Sequence, residues 1–279
     1  MNEVKKYFKI TWRLHQNIQI IFQSTSDKRV ETFLLKCGFN LQVIEFNSWI
    51  NIAEDFEILC IKDGFYDSGL AVKTSDKKIL NLNDCDIKKR DDLNKLSRNV
   101  GECDVLVSQF SYAAWKGGEK NLEWRREAAK EKLKTIYLQS KKLNVKYTIP
   151  FASFIYFSNK KNKYLNDCAN RPSSVIEYFE NNNASSQVIT MKPYDEFSGI
   201  LNHENTMKAR DFWENLFLKI NELQEDSYES IDLSILSESF NKYINRIQKN
   251  NSLKLMKFLR MISPIKIFPP IRVHLSDIN

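Results

Sequence analysis

Apolar side chains change their period along this chain of 279 residues, and the changes mark its organisation. From Asn17 to Gln23 they alternate around Ile18, Ile20 and Phe22, the pattern of a half-buried strand. Asp27 offers an N-cap for a helix from Lys28 to Cys37, and Gly38 can close that helix in a left-handed conformation. Gln42 to Phe46 reads as a strand, so the opening predicts a strand–helix–strand unit that builds a sheet with helices packed on it. Glu57 to Ile61 predicts another strand, and Leu70 to Thr74 with Lys78 to Leu82 predicts a hairpin across Ser75, Asp76 and Lys77. A helix over Asp91 to Val100 and a buried strand over Asp104 to Ser108 come next. Leu122, Ala129, Leu133 and Ile136 recur at helical spacing and predict a long helix from Asn121 to Leu143, with a strand over Lys146 to Ile149 after it. Beyond about residue 200 the period is helical to Leu259. The proline-rich run Ser263 to Pro270 ends it, because proline cannot continue a helix, and Ile271 to Leu275 reads as a short strand. The expectation is an α/β layered domain over residues 1–200 and a helical region over residues 201–279 packed on it.

Composition narrows the class. With 42% hydrophobic residues the chain is long enough for a substantial buried core. It has no apolar run long enough for a transmembrane helix, and Met1 to Tyr7 lack the features of a secretory signal, so a cytoplasmic protein is expected. The five cysteines (Cys37, Cys60, Cys85, Cys103, Cys168) are odd in number and never form Cys-x-x-Cys. That argues against a disulfide framework or a zinc knuckle and for reduced, mostly buried thiols.

The net charge of +7 matters only where it is concentrated, and it is segregated near the C-terminus. Asn221 to Asn241 holds acids and no bases, whereas Lys242, Arg246, Lys249, Lys254, Lys257 and Arg260 occupy a stretch without acids. Two readings stand: a pair of solvated helix faces that attract one another, or a surface for phosphates or anionic lipid headgroups. In the second, Leu253, Leu255, Met256, Phe258, Leu259 and Met261 are the interleaved apolar residues. Nucleic acid is not an expected partner.

Candidate chemistry is sparse. Asp84 and Asp86 flank Cys85 after an apolar strand, where side chains reach a cleft and can hold a metal or a proton. The same Asn-Asp pair is also a common turn former, because its short side chains bond their own backbone. Three histidines, His15, His203 and His274, lie far apart, with no His-x-His or His-Glu-x-x-His, whereas a mononuclear catalytic zinc needs about three protein ligands. Ser68, Ser108 and Ser111 have no nucleophile elbow around them, and Gly117-Gly118 stands alone beside Lys116 without a phosphate-loop pattern. Cys85 sits between two acids that disfavour its thiolate.

Several stretches in order carry a resemblance: Ile61-Lys-Asp-Gly64, the hairpin ending Lys78-Ile-Leu-Asn-Leu-Asn-Asp-Cys85, Asp104 to Trp115 with its Gln-Phe-Ser-Tyr-Ala-Ala-Trp tail, the Lys/Arg-rich helix after it, and Pro150 to Ser158. Over roughly residues 15–195 the chain resembles the metallo-β-lactamase-fold domain of the CMP-N-acetylneuraminate hydroxylase type. The resemblance implies an αββα layered fold with an incomplete N-terminal β-layer, followed by C-terminal helices. It implies that Asp84 matches the acid that reaches the metal, and that Asn159 stands where relatives carry histidine. The family's His-x-His-x-Asp-His signature belongs before residue 15 and is not in the sequence, nor are the paired Cys and His ligands of a Rieske module.

In functional terms the resemblance implies a degenerate or truncated relative of the sugar-nucleotide or surface-polysaccharide branch. Such a relative has no cofactor of its own, or takes zinc, manganese or iron if another polypeptide or missing sequence supplies the histidines. The implied ligand is a sugar or nucleotide, in a cleft built from Asp67, Asn83, Asp84, Gln109, Ser111, Trp115 and Asn159. An open β-layer also invites a homodimer or a complementary chain.

Overall fold

The computed structural model describes residues 18–64, 67–222 and 231–262, and these fall into two units, one ending at Gln224 and the other beginning at Glu225. In the first unit β1 (Gln19–Gln23) and β2 (Asn40–Ile44) pair in parallel around α1 (Arg29–Lys36). The Asp27 carboxylate accepts the Arg29 backbone N–H at 3.0 Å, and Gly38 takes φ 81° to end the helix. The expected strand–helix–strand unit is therefore present; Gly38 closes the helix as expected, whereas the N-cap position is taken by Lys28 and Asp27 stands one residue before it.

A second, mixed sheet has the order β3-β4-β5-β6-β7-β8-β9. Its strands are β3 (Trp49–Ala53), β4 (Phe56–Asp63), β5 (Asp67–Lys73), β6 (Lys78–Asn83), β7 (Val105–Gln109), β8 (Tyr147–Phe151) and the two-residue β9 (Gln187–Val188). Strands β3 to β6 are antiparallel and β6 to β9 parallel, so β6 is where the sheet changes character. The parallel half needs crossovers, and helices supply them: α2 (Arg90–Val100) between β6 and β7, α3 (Leu122–Lys142) between β7 and β8, and α4 (Pro172–Asn181) between β8 and β9. Helix α5 (His203–Leu218) comes next in the same unit; Trp213 donates to the Met191 carbonyl at 2.8 Å and stacks on Phe154 at 4.1 Å.

Burial explains why this arrangement forms. Along β4, Leu59 and Ile61 face a core with Leu80, Leu82, Leu106, Leu96 of α2, Ile136 of α3 and Phe179 of α4. The alternate residues Ile58 and Cys60 face Ile44, with Ile21, Ile50 and Val72 around them. Because both faces are covered, the strand reads as a continuous apolar run instead of an alternating one. Val105 and Tyr147 do the same on the far face of the parallel half, against Ile189 and Phe197. The fold is thus mixed α/β with a seven-stranded sheet, consistent with the metallo-β-lactamase-like α/β arrangement the sequence suggested.

Among the described residues, β3, α4 and β9 lie outside the sequence expectation. Helix α4 opens at Pro172, whose missing N–H is harmless at a first helical position, and Val175 and Phe179 bury one of its faces. The second unit contains α6 (Leu233–Asn250) and α7 (Leu253–Ile262). The strand expected over Ile271–Leu275, the proline-rich run and His15 lie outside the described residues.

Gly69 of β5 lies tight against β6. A Cβ there would meet Leu82 Cδ2 at 2.9 Å and the Asn81 carbonyl oxygen at 3.1 Å, and Leu82 is itself fully buried. Gly69→Ala is expected to destabilise the first unit by roughly 1–3 kcal/mol through overpacking, measured by urea denaturation. A midpoint equal to that of the parent would show that the two strands can separate without cost.

Candidate functional site

The carboxyl ends of β6, β7 and β8 share one edge of the large sheet with the end of β4 and the start of β5. In open α/β sheets such an edge is where ligands bind. Asp63 closes β4 directly opposite Asp67 on β5, and its Oδ2 accepts the Asp86 N–H at 2.7 Å. Burial pushes the Asp63 carboxyl above its ordinary range, and the charges of Asp67, Asp86 and Asp92 push the same way. Burial, aided by Asp63, Asp84 and Asp67, drives the Cys85 thiol up to about 12, so this sulfur stays protonated and unreactive at neutral pH.

Asn83 and Asp84 make the turn that carries the chain off β6. Asn83 takes φ 49°, its N–H donates to Asn81 Oδ1 at 2.9 Å, its amide donates to Asp84 Oδ1 at 2.8 Å, and the Cys85 N–H closes the turn on the Leu82 carbonyl at 2.9 Å. Short polar side chains tolerate the left-handed conformation, which is why they occupy this corner. Asp86 is held by cations instead. Burial alone would raise its carboxyl, but Lys88 at 2.5 Å and Lys132 at 3.4 Å outweigh that and hold it below the ordinary range; Lys88 also reaches Glu131 at 2.5 Å.

The other sequence candidates divide into separate groups. Gln109 ends β7 in a buried position, and Ser111 is buried in a hydrogen-bonded lock. There the Asn170 N–H donates to Ser111 Oγ at 2.8 Å, while Ser153 Oγ donates to the Ser111 carbonyl at 2.9 Å and accepts its N–H at 3.1 Å. Trp115 is 61% exposed and meets Trp124 edge-on at 5.5 Å. Asn159 Oδ1 accepts the Lys161 N–H at 2.9 Å in a loop turn. Asp67, Asn83 and Asp84 therefore gather around Cys85, while Ser111 serves the packing of its own loop. Of the bases singled out in the sequence, Lys242 pairs with Glu238 at 2.6 Å and Arg246 lies over Tyr243, both within the second unit.

A cleft of about 460 Å³ opens between the end of β4, the segment after β6 and α2. Its walls carry Lys62, Lys88, Lys89 and Lys95 together with Asp63, Asp86 and Asp92. None of the seven residues expected from the sequence lines it, although Asp67 is the cross-strand neighbour of Asp63. The signal that could have found it is the charge run Lys88-Lys89-Arg90-Asp91-Asp92, which lies between the end of β6 and α2 and runs into the first turn of that helix.

The described residues do not assemble a metal centre. Among them no group of three or more His, Cys, Asp and Glu side chains is placed to hold an ion. His203 is exposed at the first residue of α5, and His15 and His274 lie outside the described residues.

No protein-family model matches this chain, and no curated protein matches it. Among solved structures, the chain is similar to CmlA from Streptomyces venezuelae, a diiron beta-hydroxylase, at 8% identity and TM-score 0.43. That overlap covers 61% of this chain and 38% of CmlA, so the chain spans well under half of that protein. The metallo-beta-lactamase fold protein YhfI from Bacillus subtilis overlaps at 10% identity and TM-score 0.37, covering 65% of this chain and 67% of YhfI. Zn(2+)-bound PqqB from Methylobacterium extorquens overlaps at 12% identity and TM-score 0.26, covering 34% of this chain and 35% of PqqB. These overlaps are partial and carry no residue-by-residue correspondence.

Beside the Trp115 loop a buried cation is clamped. Arg125, 1% exposed on α3, donates to both oxygens of Asp167 at 2.8 and 2.7 Å and to the Gly118 and Glu119 carbonyls at 2.7 and 3.0 Å. Arg125 lowers the Asp167 carboxyl through that hydrogen bonding. A folded-state value below the unfolded one means that the contribution is fully present above the ordinary carboxylate range and is lost as pH falls through the lowered value. Asp167→Asn is expected to cost about 1–3 kcal/mol at neutral pH, because the buried guanidinium loses its counter-charge while water screens the exposed carboxylate side of the pair. The gap between variant and parent should shrink on acidification through that window. Equal acid sensitivity of the two proteins, measured by denaturant titration at a series of pH values, would rule out this role.

Proposed function

We propose that this chain is a degenerate metallo-β-lactamase-superfamily protein of the sugar-nucleotide or surface-polysaccharide branch. In this reading it binds a phosphorylated sugar or nucleotide sugar in the cytoplasm and has little metal-dependent hydrolase activity of its own. The observation that carries the reading is the 460 Å³ cleft, whose walls interleave four lysines with three aspartates. Ammonium groups suit phosphate oxygens as compact point charges, while carboxylates accept hydrogen bonds from sugar hydroxyls. Asp86 and Lys88 are already paired, whereas Lys89 and Lys95 make no ion pair among the described residues and retain their charge for a ligand. Conversion of such a ligand lacks support at the strand ends. The Cys85 thiol is held protonated, Asp84 is engaged by Asn83, and Asp63 by the Asp86 backbone.

Calorimetric titration with a nucleoside-monophosphate-linked sugar is the direct test. Saturable binding is expected, weakened about a hundredfold in Lys89→Ala/Lys95→Ala, since two charge-assisted contacts of about 1.5 kcal/mol each are removed. Supplying zinc, manganese or iron should leave both binding and the slow background hydrolysis unchanged. Absence of binding refutes the ligand assignment. Turnover that appears with one equivalent of retained metal favours instead a hydrolase completed by a further polypeptide.

A further inference from the structure

The second unit presents chemistry that the cleft does not use. No residue of α6 or α7 is buried, yet both helices carry large apolar side chains: Leu233, Phe240 and Tyr243 on α6, and Leu255, Phe258 and Ile262 on α7 are exposed, the last three by 54, 52 and 56%. At 3.6 residues per turn, Leu236, Phe240, Tyr243, Ile244 and Ile247 line one side of α6, and Lys242, Arg246 and Lys249 the opposite side. Helix α7 repeats the division. Leu255, Phe258, Leu259 and Ile262 share a stripe, Lys254, Lys257 and Arg260 fall together across from it, and Leu253 and Met261 stand at the ends of the basic side.

Charge selects among partners for these faces. From Lys242 to Arg260 there are six bases and no acid, and one of the six, Lys242, is paired with Glu238. A strongly basic polar face beside an aliphatic and aromatic one is what an anionic bilayer surface recognises, since the headgroups meet the bases while the apolar stripe enters the headgroup–acyl boundary. Helix α7 has ten residues, about 15 Å at helical rise, and among the described residues no helix is long and apolar enough to cross a membrane. Lying in the interface is the geometry left to it.

We propose that α6 and α7 form an interfacial anchor that docks the protein on an anionic lipid surface. It is independent of the ligand assigned to the cleft, so either can fail alone. Salt should release it, because surface electrostatics decay within a Debye length of about 10 Å at 0.1 M.

The full chain should co-sediment with vesicles of phosphatidylcholine containing phosphatidylglycerol and not with phosphatidylcholine alone, and 0.5 M salt should release it. Lys254→Gln/Lys257→Gln/Arg260→Gln is expected to weaken the affinity roughly a hundredfold, from about fivefold per base near an anionic surface. Leu255→Ser/Phe258→Ser/Ile262→Ser, with the basic side intact, should also lose vesicle binding. Circular dichroism and the main melting transition, read on both variants, confirm that they fold. No sedimentation of the parent chain at low salt overturns the proposal. So does vesicle binding that survives the serine changes, or tighter binding to a single-stranded oligonucleotide that is insensitive to them, either of which would make the surface a simple polyanion site.

Discussion

One buried amide holds the strand-end geometry together. Gln139 of α3 is completely enclosed; its Oε1 accepts the Ser108 hydroxyl at 2.7 Å, and its Nε2 donates to the Ile87 carbonyl at 3.1 Å. It therefore joins three elements by side-chain polarity: the long helix, the parallel strand β7 and the segment that leaves β6. Each buried partner left without its hydrogen bond would cost about 1–3 kcal/mol. Asp84, Asp86 and Lys88 belong to that segment, so the charged wall of the cleft is positioned by an uncharged residue behind it. Apolar packing sets how far the helix stands from the sheet, and the amide sets its register.

A division of labour between the two halves of the sheet results. In the antiparallel half β4 is covered on both faces, whereas β5 and β6 alternate, with Leu70 and Ile79 exposed. The parallel half must cross over through helices, and its loops are long and rich in polar locks, including the Ser111–Ser153–Asn170 set and the Arg125–Asp167 clamp. Both kinds of construction meet at β6, and the cleft opens beside its end. A ligand there would touch a rigid strand end on one side and the start of a helix on the other. That combination favours firm positioning of charge over movement.

Much of this was legible in the residues. Period-two runs at Ile18–Phe22 and Leu70–Leu82, the Gly38 helix end and the spacing of Leu122, Ala129, Leu133 and Ile136 each match an element, because local rules and tertiary burial agree there. Helix α4 was harder to see. Its polar opening at Asn170-Arg-Pro-Ser-Ser reads as a loop, although the proline occupies a permitted first position and Val175 and Phe179 mark the buried face. Strand β9 has only two residues and no pattern to detect. For the candidate site, the residues that the resemblance implies include Asp67, Asn83 and Asp84, which the structure places around Cys85. The adjacent cleft is not legible from the resemblance, because Lys62, Asp63, Lys89 and Lys95 come from three segments that the pairing of β4 with β5 and of β5 with β6, and the placement of α2 after β6, bring into one wall. The resemblance also implies Ser111, whose Oγ accepts the Asn170 N–H, a partner 59 residues away that leaves no local trace.

The rims of the large sheet carry a consequence for how the molecule behaves in a crowded solution. Among the described residues the sheet stops on one side at β9, with two residues, and on the other at β3, whose register shifts between Asn51 and Ala53. A stub gives an incoming strand almost nothing to grip, and a bulge turns the remaining backbone groups out of line. Concentrated protein is thereby guarded against growing fibrils by strand capture along these two margins, and the guard is built from irregularity instead of charge.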